Sequence, residues 1–413
     1  MPDKNKRILF ISYDGMTDPL GQSQVIPYLG GLTKQGYDFT ILSCEKPQQY
    51  AANKEYVLSL LKPYNIKWEP IPYHKNPPVL SSAYDFFRLK QAAKRLHLKY
   101  SFDMVHNRNS FAPLVSFWLN KKYGIPYLND IRGFWADERV DGGMWNIKNP
   151  VYKFIYTYFK KREIECMNNA AYNICLTTKA EEEIHRWPQI LNQPLPIKII
   201  PCSVDIDLFN PDKIDEGLKQ KLQAELSIKE GDFVISYLGS IGGWYLTNEM
   251  MHFCKLLSDK IPSAKFLFIS PNSHSILAEA AAKAGLNADK LIVKKGKRHE
   301  IPALLSLSNY SLFFIKQCYS KISSSPTKHG EIMAMGIPVI TAPGIGDVDA
   351  IITKYNSGYI VKDFSDIAFA EIIERIKAGD HFDAKKIREG AIEYYSLDKA
   401  LIKYSEAYKK ILG

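Results

Sequence analysis

The run Ser323-Ser324-Ser325-Pro326-Thr327-Lys328-His329-Gly330-Glu331 brings together groups that can bind an anion and a diol. It continues through Ala334, Gly336 and Pro338 into the apolar pair Val339-Ile340. The pattern predicts a polar loop, a short helix and then a strand. Ser325 or Thr327 can cap that helix, and Pro326 suits its opening turn. A helix start presents unpaired N–H groups and the positive end of the backbone dipole, which together seat a diphosphate. Lys328 adds a full charge beside that seat. Glu331, one turn further on, can accept hydrogen bonds from two vicinal hydroxyls such as those of a ribose. Gly330 and Gly336 permit close backbone approach and end the helix. Taken alone, the Lys–Glu pair also fits a capped surface helix with both side chains in water.

Other chemistry-bearing residues follow strands. Residues 13–24 form a loop with Gly15, Gly21 and Gln22, either a backbone cradle or an ordinary strand-to-helix connection. Asp130 closes a predicted strand, 125–130, and Arg132, Asp137, Glu138 and Asp141 follow in an acidic loop. A carboxylate there can stabilise positive charge or accept a proton from a hydroxyl. It can equally cap a helix or pair with arginine. Arg108 and Arg132 can neutralise it or bind an acceptor phosphate. Gly239, Ser240, Gly242 and Gly243 follow the strand pattern Phe233–Leu238 and suit a phosphate cradle. Lys297, Arg298 and His299 form a basic turn after 291–294. Asp205-Ile206-Asp207 mimics a metal-binding D-x-D, but no C-x-x-C or H-E-x-x-H spacing accompanies it.

These residues need a scaffold. A chain of 413 residues is too long for one ordinary core and fits two domains. In the first half, strand patterns at 7–12, 38–43, 66–70, 103–106, 125–130, 172–176 and 197–201 alternate with helical patterns, notably 22–35, 84–100, 110–122 and 151–168. In the second half, strands at 233–238, 265–270, 291–294, 310–314, 338–341 and 358–361 repeat this grammar. Helical patterns at 366–377, 384–394 and 397–412 close the chain. Such alternation implies βαβ units and parallel sheets buried on both faces. The fold expected is α/β, two doubly wound Rossmann-like domains facing a cleft. Their limits are 1–200 and 201–390, with 391–413 packing back toward the first. Ligands of doubly wound sheets sit beyond the C-terminal strand ends, where all the candidates above lie.

The run S-x-P-T-K-x-x-E-x-x-A-x-G-x-P-V-I at 323–340 resembles the donor-site helix of family 4 retaining glycosyltransferases of the GT-B fold. The resemblance extends in order along nearly the whole chain. It implies transfer of a sugar from a nucleotide-diphosphate donor to an acceptor, with retention and without metal or other cofactor. It assigns Glu331 to the donor ribose and Lys328 to the diphosphate, with residues 323–327 completing the donor loop. Gly15, Gly21 and Gln22 fall where the family's N-terminal glycine loop approaches the diphosphate. Gly239 and Ser240 fall in its second-domain glycine loop, and Arg298 in its nucleobase loop. Asp130 stands where many members have a histidine directed at the reacting sugar, and Arg108, Arg132, Asp137 and Glu138 lie on the acceptor side. Two departures stand out. Ser323 occupies a position usually held by a second Glu, and no Arg or Lys closely follows Gly239.

Charge bears on the acceptor. Residues 1–200 hold 27 Lys/Arg against 18 Asp/Glu, and residues 201–413 hold 27 against 26. The basic first half fits a phosphate-bearing glycan or lipid-linked acceptor, or an anionic membrane surface. No nucleic-acid recognition motif accompanies the charge. There is no apolar leader pattern and no run long enough to span a bilayer, and the six dispersed cysteines read as free thiols. The expected location is therefore cytoplasmic, peripheral on the inner membrane face for a lipid acceptor. The expected role is cell-surface polysaccharide synthesis. A nucleotide-sugar epimerase of the same architecture, or a catalytically silent sugar-binding protein, remains open at this stage.

Overall fold

A computed structural model describes residues 5–77, 79–108, 110–272 and 274–413. The chain divides into two compact units, Met1–Pro201 with Leu397–Gly413, and Cys202–Ser396.

The first unit contains seven parallel strands: β1 Lys6–Ser12, β2 Tyr37–Glu45, β3 Lys67–Pro72, β4 Met104–Arg108, β5 Tyr127–Asp130, β6 Tyr172–Cys175 and β7 Ile197–Ile199. Their order is β3-β2-β1-β4-β5-β6-β7. Residues 8–11 of β1 are all buried, because helices cover both faces of the sheet. β1 pairs with β2 on one side and β4 on the other, Leu9 lying opposite Thr40 and Val105. Strand order reverses there, so the loops after β1 and β4 open at the point where such sheets bind ligands.

Three details differ from the sequence expectation. The helix expected at 22–35 is two helices, Pro19–Gln24 and Ile26–Thr33, broken at Val25 with φ −124° and ψ −62°. Pro27 lies just beyond the break; it has no N–H to continue the ladder and crowds the preceding turn. The acidic loop expected after Asp130 contains a helix, Trp135–Asp141. The boundary expected at 391 falls inside the helix Ala384–Tyr395, which stays with the second unit. Arg388 anchors that helix by donating to the carbonyls of Phe209, Ala334 and Ile206.

The next helix, Leu397–Leu412, belongs to the first unit. It buries Ala400, Tyr404, Ala407 and Tyr408 in a core shared with Ile8, Phe10, Leu29 and Met104. Its close approach depends on Gly31, where a Cβ would lie 2.3 Å from a Leu401 methyl.

The second unit has six parallel strands: β8 Phe233–Leu238, β9 Ala264–Ile269, β10 Leu291–Lys294, β11 Tyr310–Phe313, β12 Val339–Thr341 and β13 Gly358–Ile360. The order β10-β9-β8-β11-β12-β13 puts the reversal between β8 and β11. The chain leaves β11, makes a 3₁₀ turn at Tyr319–Ser323, enters the helix Thr327–Ala334 and returns as β12. All six cysteines are free thiols. Among the described residues, no helix is long and apolar enough to cross a membrane.

Candidate functional site

Beyond β8 and β11, the second unit holds two buried ionisable side chains on one short helix. Lys328 and Glu331 sit in the first turns of the helix Thr327–Ala334 and are only 7% and 6% exposed. The N-cap is Pro326, with no side-chain cap. This overturns the expected cap from Ser325 or Thr327. The Ser325 hydroxyl instead accepts from the backbone N–H of Cys202, and Thr327 is the first helical residue. The helix start thus lacks a side-chain oxygen of its own at the cap.

Lys328 Nζ lies 3.1 Å from the Tyr237 hydroxyl, 4.2 Å from the Tyr237 ring centre and 3.8 Å from that of Tyr245. Burial lowers its pKa to about 7, partly opposed by the field of Glu331. Among the described residues it forms no ion pair. Such a cation is costly unless an anion joins it. Gly239 permits the arrangement. Its φ of +119° is glycine territory, and a Cβ there would sit 2.9 Å from Lys328 Nζ. The neighbouring Ser240 carbonyl accepts from the Tyr237 hydroxyl.

Burial raises the pKa of Glu331, while Arg298 and, more weakly, Lys328 pull it down. Arg298 Nη1 donates to Glu331 Oε1 and stacks its guanidinium 4.8 Å from the Phe209 ring centre. The structure therefore joins two predicted residues that lie 33 positions apart. A carboxylate offers about four acceptor positions, so one bond from Arg298 leaves capacity for a diol. Ser323, where a Glu was the family expectation, is 2% exposed and donates to the Ser320 carbonyl. Ser324 completes the loop, half-buried.

Sequence reasoning missed a second cation. Lys321 is buried, with Nζ 3.8 Å from the Trp244 ring centre. Trp244 directly precedes Tyr245, so Lys321 and Lys328 rest on adjacent rings of the glycine loop. No basic residue follows Gly239 closely in sequence, yet a loop from β11 brings one there. Its only sequence signal was a lysine seven residues before Lys328.

The first unit assembles a different cluster. Asp130 ends β5 and is 1% exposed. Its Oδ2 accepts from Arg132 Nε at 3.0 Å and from the Tyr404 hydroxyl at 2.9 Å. His106 Nε2 lies at 3.4 Å and Arg108 Nη1 at 3.9 Å. Tyr404 also accepts from Arg132 at 2.6 Å, and the Tyr408 hydroxyl meets His106 Nδ1 at 2.7 Å. Asp130 Oδ1 is buried with no hydrogen-bond partner among the described residues. Burial pushes the Asp130 carboxyl up, but Arg132 first, then His106 and Arg108, hold it well below the ordinary range. Burial lowers the pKa of His106, outweighing Asp130. The cluster is thus an ionised carboxylate, two guanidiniums and a neutral imidazole. Tyr404, Tyr408 and His106 carried no local motif.

The remaining candidates make the following contacts within the first unit. Arg108 donates to the Gln24 carbonyl. Gly15 and Gly21 lie in a loop and helix held by Glu45, which accepts from the N–H groups of Met16 and Thr17. Gln22 donates to the Thr17 carbonyl. Asp137 accepts from Tyr156 and Lys160, which tie its helix to Pro150–Asn169. Glu138 lies against Gly133 in the same segment.

The family description Glycosyltransferase Family 4 matches residues 25–208, and Glycosyl transferases group 1 matches residues 219–394. Among solved structures, a glycosyltransferase from Rickettsia africae superposes with a TM-score of 0.72 at 18% identity, covering 99% of each chain. Anabaena Alr3699/HepE, solved with UDP-glucose, gives a TM-score of 0.69 at 14% identity, over 98% of this chain and 99% of that one. WaaG, a glycosyltransferase involved in lipopolysaccharide biosynthesis, gives 0.67 at 14% identity, over 95% and 98%. No curated protein sequence matches.

Proposed function

We propose, from the premise that this chain belongs to glycosyltransferase family 4 of the GT-B fold, that it moves a sugar from a nucleotide-diphosphate donor to a glycan or lipid-linked glycan, with retention and without metal. The observation that carries the donor reading is Lys328, a buried cation that forms no ion pair among the described residues, at an uncapped helix start. A diphosphate supplies the missing charge. The UDP-glucose held by the Anabaena protein of similar fold supports a nucleotide-sugar donor.

In this reading an acceptor hydroxyl oxygen bonds to the anomeric carbon while the bond from that carbon to the diphosphate oxygen breaks. Negative charge grows on the departing diphosphate. Lys328, Lys321 and the helix start are already in place to stabilise it, so little reorganisation is needed. The hydroxyl proton leaves with the nucleoside diphosphate. Glu331, oriented by Arg298, holds the ribose hydroxyls. Asp130 is a weak base, because the arginines beside it stabilise its ionised form. With Arg132 and Arg108 it forms a cluster of net positive charge, which serves a phosphate-bearing acceptor. A role in cell-surface polysaccharide synthesis fits the basic first unit, and the lipopolysaccharide role of WaaG is in keeping with it.

Thermal shift with UDP, GDP and ADP tests the proposal, because a ligand stabilises the state it binds. At least one of the three should raise the melting temperature, and Glu331→Ala should remove the rise. A flat response to all three would sink the donor assignment.

A further inference from the structure

We infer that the first unit carries an apolar-chain subsite, built to take the hydrocarbon part of an acceptor lipid with an anionic head group from an anionic membrane surface. The inference rests on the sugar-transfer reading and names the class of its acceptor.

The starting observation is a cavity of about 470 Å³ within this unit, inside the range of small-molecule sites. Its wall is largely aromatic, with Tyr73, Phe86, Trp135, Trp145, Tyr152 and Phe159 among the lining side chains. Trp135 and Trp145 both pack on Phe159, with ring centres 5.1 and 5.7 Å away. Polar groups interrupt the apolar wall, Arg139 and the Trp135 indole N–H among them. Arg139 lines the cavity and stacks 4.9 Å from the Trp135 ring centre. Trp135 Nε1 is buried without a hydrogen-bond partner among the described residues. A hydrocarbon chain next to a phosphate would match a wall of this composition.

The surroundings favour a lipid over a soluble glycan. Large apolar side chains stand in the open at the starts of the two helices flanking the cavity. Phe154 is 72% exposed, Leu80 69%, Val151 64% and Val79 61%. Single exposed apolar residues are ordinary, but a group around one cavity marks a contact surface. Aromatic rings alone could stack on sugars; exposed aliphatic side chains around them gain nothing from a glycan. Lys75, Lys148 and Lys153, all exposed, are interspersed in these same segments. The first unit holds 31 Lys/Arg against 20 Asp/Glu, and the second 23 against 24. Apolar anchors among cations are the composition of a surface that settles on anionic lipid.

Binding to the full chain can be measured by tryptophan fluorescence with farnesyl monophosphate, farnesol and inorganic phosphate, and by sedimentation with phosphatidylglycerol or phosphatidylcholine vesicles. Farnesyl monophosphate should bind saturably, and at least roughly tenfold tighter than inorganic phosphate, since its chain leaves water. Ala83→Trp, at an exposed position lining the cavity, should abolish that binding. Val151→Asp with Phe154→Asp should weaken attachment to phosphatidylglycerol vesicles by about tenfold or more. Three results would overturn the inference: no farnesyl phosphate binding, binding indifferent to Ala83→Trp, or displacement by a water-soluble oligosaccharide. Nucleoside diphosphate stabilisation, read in parallel, separates the two ideas. If it persists while lipid binding fails, only the lipid subsite falls. If it too is absent, the sugar-transfer reading falls with it.

Discussion

Lys328 carries its charge where charge is least welcome, and that makes it a sensitive reporter. Burial holds its pKa near about 7. Between that value and the ordinary lysine range, the folded chain binds fewer protons here than the unfolded chain. Its contribution therefore increases stability as pH rises through that window. Lys328→Met should flatten this dependence in denaturant titrations at several pH values. It should also leave ligand-free stability unchanged or higher, because an apolar side chain replaces an unpaired buried cation. Nucleoside diphosphate binding should respond in the opposite sense. A bound diphosphate restores the proton, so wild type should take up a proton on binding at about pH 8. Calorimetry in two buffers of different ionisation heat reads that uptake. Uptake that survives in Lys328→Met would assign the proton elsewhere. Glu331→Gln keeps the size but loses the charge, leaving Arg298 without its carboxylate. Nucleoside diphosphate affinity should fall by roughly ten- to a hundredfold, the range for hydrogen bonds to charged groups.

The C-terminal helix Leu397–Leu412 shows how an element without catalytic residues can shape a site. Tyr404 donates to Asp130 and accepts from Arg132, so one hydroxyl serves both buried charges. Tyr404→Phe should cost about 1–3 kcal/mol of stability, the penalty for leaving buried polar groups short of a partner. It should leave nucleoside diphosphate affinity unchanged, because that site belongs to the other unit. Urea unfolding and a binding isotherm on one preparation check both halves. Gly31→Ala should cost about 1–3 kcal/mol through its collision with Leu401. Adding Leu401→Ala should recover part of the loss, and no recovery would mean the contact does not set the helix position. The sequence announced this helix through its apolar spacing, but not the partners of its hydroxyls. Tyr404 and Asp130 are 274 residues apart, and no local pattern connects them. The break at Val25 had a visible cause in Pro27, which the apolar periodicity across 22–35 concealed.

At the scale of the molecule, both sheets were legible because parallel strands covered on both faces read as continuous apolar runs. The run at 323–340 was legible because its turn residues, glycines and apolar pair mark a loop, a short helix and a strand, with Lys328 and Glu331 within one helical turn. What could not be read was what the fold brings from elsewhere: Tyr237 and Tyr245 around Lys328, Arg298 on Glu331, Lys321 on Trp244, and the aromatic cavity of the first unit. Those contacts depend on strand order, which side-chain types do not encode locally. The charge asymmetry was visible in sequence; the exposure of Val151 and Phe154 was not. The central claim nonetheless concerns the second unit alone. It is tested most directly by a crystal structure of the full chain with UDP, GDP or ADP, whichever stabilises it most. The account predicts diphosphate density against the backbone of Thr327 and Lys328, with the ribose hydroxyls on Glu331. A nucleotide bound elsewhere, or a diphosphate that leaves Lys328 enclosed between Tyr237 and Tyr245 without contact, would contradict it.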